Sequence, residues 1–145
     1  MVNTTFASVT RIDAPVAAVW EVMTDHVRYA RWGSAKTVII ERPGTPAPNG
    51  LGAIRCFQAG PMKVREEVTA WEPPTRMTYR LNSKQMTKTY TSKMVLRDEG
   101  GVTVLEWSST FEPRVPGTSA VVRRIYERAV ARFAAGIKAD AELAA

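Results

Sequence analysis

The sequence predicts a single α+β domain, residues 1–145, in which about seven antiparallel strands form a curved sheet and a long C-terminal helix lies across one face. Three observations carry this. Strand signals dominate from Thr37 to Phe111, and within each strand one face is mostly apolar and the other polar, the mark of an antiparallel sheet with one wet side. Ser119 to Leu143 instead repeats its apolar residues with the period of a helix. At 145 residues and 45% hydrophobic composition, folding buries roughly two-thirds of the extended chain's surface, which supports a core even if part of the interior stays open.

Thr4 to Ile12, rich in Thr, Val and Phe, is the first strand, and Asp13-Ala14-Pro15 stops it. Asp13 or Ala14 is then placed to cap a helix with Pro15 near its first turn. Val16, Val19, Trp20 and Met23 follow at helical spacing, giving an amphipathic helix of about ten residues. Thr24-Asp25 breaks it. A second short helix, His26 to Trp32, offers Val27, Tyr29 and Trp32 for packing on the first, and Gly33 ends it.

The strand region is interrupted by the Pro- and Gly-rich loop Arg42 to Gly52. Gly60-Pro61 is a tight-turn signal. If Ala59 faces Met62, then Phe57 lies opposite Val64 and Arg55 opposite Glu66. The turn at Glu72-Pro73-Pro74-Thr75 sets Trp71 opposite Arg76 and Val68 opposite Tyr79. Asp98-Glu99-Gly100-Gly101 sets Met94 opposite Leu105 and Ser92 opposite Trp107. Met77, Tyr79, Leu81, Tyr90, Met94, Leu96, Leu105, Trp107 and Phe111 then share the apolar face, and Arg76, Thr78, Arg80, Lys93, Arg97 and Glu106 the wet one. On the last helix Val122, Ile125, Tyr126, Ala129, Phe133, Gly136, Ile137 and Asp140 form the inward stripe. Its small residues Ala129 and Gly136 either let the helix sit close to the sheet or leave room between the two.

Composition excludes several function classes. One cysteine, Cys56, forbids an intramolecular disulfide, and with His26 as the only histidine there is no Cys/His set for zinc. A Ser-His-Asp arrangement would need His26 as its base. No metal or organic cofactor is expected. The net charge of +6 raises the question of nucleic acid, but the basic residues are dispersed and no helix-turn-helix or aromatic RNA-binding pattern is present. No apolar run approaches the roughly 20 residues that span a bilayer. Met1 to Phe6 lacks the features of a signal peptide, so the cytoplasm is the expected compartment.

Several spaced motifs carry a family resemblance. The run Ile12-Asp13-Ala14-Pro15-Val16-Ala17-Ala18-Val19-Trp20-Glu21-Val22-Met23-Thr24-Asp25, with Tyr29 and Trp32, resembles the N-terminal signature of the START-like superfamily, which includes polyketide cyclases and lipid transfer proteins. Glu66, Val68, Glu72-Pro73-Pro74, Tyr79, Gly101 and Trp107 match its later positions in order. The resemblance implies a helix-grip fold with a cavity between the concave sheet face and the C-terminal helix. It also implies a hydrophobic or amphipathic small-molecule ligand such as a lipid, a polyketide or an aromatic compound.

By the register above, the wall of that cavity comprises Arg55, Phe57, Val64, Glu66, Val68, Tyr79, Tyr90, Ser92, Met94, Trp107, Tyr126, Ala129 and Phe133, with Trp32 closing one end. Arg55 and Glu66 are the most informative pair, two opposite charges facing each other on an otherwise apolar surface. They form either a mutually satisfied ion pair or a ligand anchor, with Arg55 holding a carboxylate, phenolate or carbonyl that Glu66 orients. His26 reads as a solvated residue at the start of its helix, Trp20 as core, Trp107 as core or ligand stack, and Cys56 as incidental on the opposite face. The basic face of the last helix is most simply solvated.

A non-enzymatic carrier is the leading reading, as a monomer or homodimer. A polyketide cyclase or dehydratase using Arg55, Glu66 and an inward tyrosine, Tyr79 or Tyr90, is the alternative. A chaperone-activator-like interaction module, which an exposed apolar patch would favour, is the third.

Overall fold

The computed structural model describes residues 3–83 and 86–145. Met1 and Val2, part of the segment judged not to be a signal peptide, and Lys84 and Gln85, inside the predicted strand region, lie outside the described residues. The chain runs β1 (Thr4–Ile12), α1 (Val16–Met23), a 3-10 helix (His26–Arg31), β2 (Thr37–Arg42), β3 (Ile54–Ala59), β4 (Met62–Glu72), β5 (Arg76–Leu81), β6 (Thr87–Asp98), β7 (Thr103–Pro113) and α2 (Ser119–Ala144). The seven strands form one antiparallel sheet in the order β1-β7-β6-β5-β4-β3-β2.

The Gly60-Pro61 turn sets its hairpin as expected. Ala59 faces Met62, Phe57 faces Val64 and Arg55 faces Glu66. Gly60 sits at φ +60°, a conformation that glycine adopts without steric penalty. The next hairpin differs from expectation at its turn, where Glu72 pairs with Arg76 and Trp71 with Met77. A bulge between Val68 and Ala70 absorbs the extra residue, so that Val68 still faces Tyr79.

In the last hairpin Asp98 pairs with Thr103, which puts Met94 opposite Trp107 and Ser92 opposite Ser109 rather than the expected Leu105 and Trp107. The displacement is two residues, so every side chain keeps its face. Met77, Met94, Leu105, Trp107 and Phe111 are accordingly buried on the concave side, and Arg80, Lys93 and Arg97 are exposed on the other.

Neither Asp13 nor Ala14 caps α1. Pro15 occupies the N-cap position, its carbonyl accepting from the N–H groups of Ala18 and Val19 at 3.0 and 3.2 Å. The Asp13 N–H is instead donated to Glu142 Oε2 at 2.9 Å, tying the end of β1 to the end of α2. α1 has eight residues, about two fewer than expected, and buries Val19, Trp20, Val22 and Met23. Within the 3-10 helix Tyr29 is fully buried, whereas Val27 is about half exposed.

The long helix begins at Ser119 as expected, but its most deeply buried seam is Val122, Val130, Ala134, Ile137 and Ala141. Ile125 is exposed and Ala129 half-buried. The reason is position over the sheet: α2 packs on β1, β7 and α1, at one side of the concave face, so the edge carrying Ile125, Ala129 and Phe133 overhangs the strands β3 to β5. At Gly136 the helix makes a close approach, because a Cβ there would stand 2.2 Å from the Trp32 ring. The close approach expected toward the sheet is thus made at Gly136 to Trp32, which lies outside the sheet, while Ala129 borders open space between helix and sheet.

Candidate functional site: a cavity between the sheet and the long helix

The space under that overhang is a cavity of about 260 Å³ lined by Phe57, Val64, Glu66, Tyr79, Tyr90, Tyr126, Ala129 and Phe133, all expected wall residues. Gly33, Ser34, Ala35, Ala59, Met62, Ile125, Val130 and Arg132 complete it. An apolar, largely aromatic wall with a few polar groups is the composition of a small-molecule site, and the volume falls just below the usual range of about 300–1,000 Å³. Such a space suits a compact ligand.

Aromatic packing holds the wall in place. Tyr90 meets Tyr126 with ring centres 4.5 Å apart, joining β6 to α2. Phe133 contacts Tyr29 at 5.1 Å and Phe57 at 6.0 Å, joining α2 to the 3-10 helix and β3. The Tyr90 hydroxyl donates to Ser109 Oγ at 3.1 Å, and Ser109 in turn lies 2.5 Å from Ser92 Oγ, so the hydroxyls behind the wall satisfy one another. Burial pushes the Tyr90 phenol up to about 12, and Tyr79 is raised well above its ordinary value for the same reason. Both are neutral donors at physiological pH.

Six expected wall residues do not reach the cavity. Val68 and Ser92 are buried behind it. Met94 and Trp107, cross-strand partners in the middle of the sheet, are covered from above: Phe133 stacks over Trp107 at 6.3 Å with the rings 17° from parallel. Trp107 is thus core. Trp32 lies against Tyr29 and Gly136 outside the cavity, and the mouth is formed by the residues that follow it, Gly33 to Ala35.

Arg55 is the sixth. It shares a face with Glu66, as the register required, but the residue is only 1% exposed and each of its guanidinium nitrogens already has a partner. Nε donates to Glu66 Oε1 at 3.1 Å, Nη2 stands 2.9 Å from the same oxygen in an ion pair, and Nη1 donates to His26 Nδ1 at 3.2 Å. The Tyr29 and Tyr79 rings lie 4.6 Å from Cζ, and Phe57 at 5.2 Å. Burial alone would lower its pKa, but Glu66 and the two tyrosines outweigh it and Arg55 stays charged. Of the two readings of the pair, the geometry matches the satisfied ion pair for Arg55. Removing one partner of such a pair typically costs about 3–5 kcal/mol because the other charge is stranded.

Glu66 differs from its partner by facing the cavity. Its side chain retains 14% exposure, and Oε2 accepts no hydrogen bond among the described residues. Burial raises its pKa above the ordinary carboxylate value, against the pull of Arg55.

His26, expected to be solvated, is completely buried. Its Nε2 donates to the Asn49 carbonyl at 2.9 Å, which leaves Nδ1 as the acceptor for Arg55 and defines a neutral ring. The Asn49 side chain also accepts the His26 backbone N–H at 3.3 Å. The Pro- and Gly-rich loop is therefore latched through His26 to Arg55, and through Arg55 to the cavity carboxylate. Asn49, Ser34 and Arg132 were missed in the sequence; nothing in their local pattern separates them from ordinary loop and surface residues. Among the described residues no His, Cys, Asp and Glu cluster could hold a metal, and no helix is long and apolar enough to cross a membrane.

A curved seven-stranded sheet closed over by a long C-terminal helix, with an aromatic-lined cavity between them, is the START-like helix-grip fold. The chain belongs to the polyketide cyclase/dehydrase and lipid transport family, whose model matches residues 3–142.

Solved structures share the fold. A START superfamily protein from Mycobacterium smegmatis superposes with a TM-score of 0.79 at 11% identity, covering 97% of this chain and 99% of that one. The Zhui aromatase/cyclase from Streptomyces sp. R1128 gives 0.77 at 16% identity, covering 97% and 94%. Ara h 8.0201 gives 0.76 at 15% identity, covering 97% and 98%. A search of curated proteins found no match.

Proposed function

We propose that the protein binds a compact apolar or amphipathic small molecule in the cavity between the sheet and α2, as a carrier or sensor. The observation that carries this is the cavity itself: a space kept open by Ala129 under the overhanging helix edge and walled by Phe57, Tyr79, Tyr90, Tyr126 and Phe133. Filling it with a side chain should abolish binding without unfolding the protein. The test is titration with an uncharged fluorescent probe such as N-phenyl-1-naphthylamine. The wild type should bind and enhance its emission, and Ala129→Trp should not, while both give the same circular dichroism. Equal binding by the two proteins would place the probe elsewhere and defeat the proposal.

One observation favours a second, enzymatic reading as a polyketide cyclase or dehydratase: a carboxylate oxygen, Glu66 Oε2, that accepts no hydrogen bond among the described residues, on a side chain that lines the same space as the phenol-bearing Tyr79. In that reading Glu66 transfers a proton to or from a bound ketone while Tyr79 donates to its carbonyl oxygen, and Arg55 acts only through Glu66. The third reading, an interaction module, gains nothing from the surface, where the exposed large apolar residues are spread over strands, loops and helices.

A further inference from the structure

Two charged residues line the cavity, and they differ in what they already hold. Glu66 sits inside, bonded to Arg55. Arg132 stands on α2 at the solvent end, exposed, and has no acidic partner among the described residues. Arg124 and Arg128 precede it by two turns and one turn, exposed and likewise without an acidic partner among the described residues. The nearby acid Glu127 is directed to Arg123 instead. Like charges at i, i+4 repel along a helix, so this row disfavours the isolated protein slightly and favours an anion brought to it.

From this charge pattern we infer that the ligand is an amphiphile with an anionic head, a carboxylate in particular, bound with its apolar body inside and its head at Arg132. The inference rests on the cavity-binding reading above and adds the ligand's class and orientation. The reverse orientation places the anion beside Glu66, whose charge repels it and whose partner Arg55 is buried and already engages Glu66 and His26. Arg132 presents a planar fork that matches a carboxylate in a bidentate fashion. Its exposure keeps the gain modest and leaves the head accessible for exchange with water. The compact volume suits one short chain or a small ring system bearing that head.

The experiment compares decanoic acid, 1-decanol and decylamine as displacers of the uncharged probe from the wild type, Arg132→Ala and Arg132→Lys. The wild type should bind the acid about tenfold more tightly than the alcohol, the low end for hydrogen bonds to a charged group, and the amine least tightly. Arg132→Ala should bring acid and alcohol together by weakening the acid alone. Arg132→Lys should keep part of the preference, and raised salt should shrink it. Equal binding of acid and alcohol by the wild type, or a preference that survives Arg132→Ala, overturns the head-group inference while cavity binding stands. Probe and displacers all failing to bind overturns both.

Discussion

A single buried arginine organises the interior of this protein. Arg55 is joined to Glu66 and His26 by hydrogen bonds and enclosed by three aromatic rings, so it fixes the positions of β3, β4, β5 and the 3-10 helix together. His26 shows the cost of that arrangement in a measurable way. Burial, and then the charge of Arg55, lower its pKa from 6.5 to about 3, against the hydrogen bond to Asn49. The unfolded chain therefore takes up a proton below about pH 6.5 that the folded protein refuses. Stability from this group is complete above that pH and declines as the pH falls toward about 3.

The slope is about 1.4 kcal/mol per pH unit, so the folded protein should lose about 2 kcal/mol from His26 between pH 6.5 and 5. Glu66, raised by burial, works in the opposite direction, since its folded form favours the proton. The difference between the wild type and His26→Gln isolates the histidine. Urea unfolding at the two pH values should show the wild type losing about 2 kcal/mol more than the variant, and parallel losses would contradict a neutral, buried His26.

At the scale of elements, strand faces were legible in the sequence to a degree that strand partners were not. Side-chain alternation has a period of two, so the two-residue error in the β6–β7 hairpin left Met94, Leu105 and Trp107 on the correct side. The single-residue error at Trp71 was cancelled by the bulge at Thr69 before it reached Tyr79. The placement of α2 was harder to read. Its periodicity marks an apolar stripe, but which edge overhangs the sheet depends on where Trp32 and Phe133 come to rest, and those contacts join segments about a hundred residues apart. Arg132 looked like one more solvated residue for the same reason.

Gly136 is the point at which that placement is enforced. Its missing side chain lets the Trp32 indole lie against the helix backbone, and a methyl group would overlap three ring atoms at 2.2 to 2.4 Å. Helix propensity alone favours Gly136→Ala by about 1 kcal/mol. Overlap with a large ring held by Tyr29 reverses the sign, at a cost of about 1–3 kcal/mol. The variant should melt below the wild type in thermal denaturation followed by circular dichroism. Introducing Trp32→Ala into the Gly136→Ala background should leave less of a penalty for the methyl than it carries with Trp32 present. A Gly136→Ala protein more stable than the wild type would show that the helix does not depend on this contact.

Across the whole molecule, the sheet and helix enclose more space than their own side chains fill. Such a space lacks contacts that a close-packed core would supply, so the empty protein is less stable than the same architecture filled. A ligand that binds only the folded state restores them by mass action. At a free concentration a hundred times its dissociation constant it adds about 2.7 kcal/mol. For a chain of 145 residues that corresponds to an upward shift in melting temperature of about 5–10 °C. Differential scanning calorimetry with a compact amphiphile should therefore show a shift that grows with the logarithm of ligand concentration, and Ala129→Trp, whose indole occupies the space, should show none. A ligand that binds the wild type by fluorescence yet leaves its melting temperature unchanged at saturation would have to bind the unfolded chain equally well, and that behaviour is incompatible with a site assembled from β3 to β6 and α2 together.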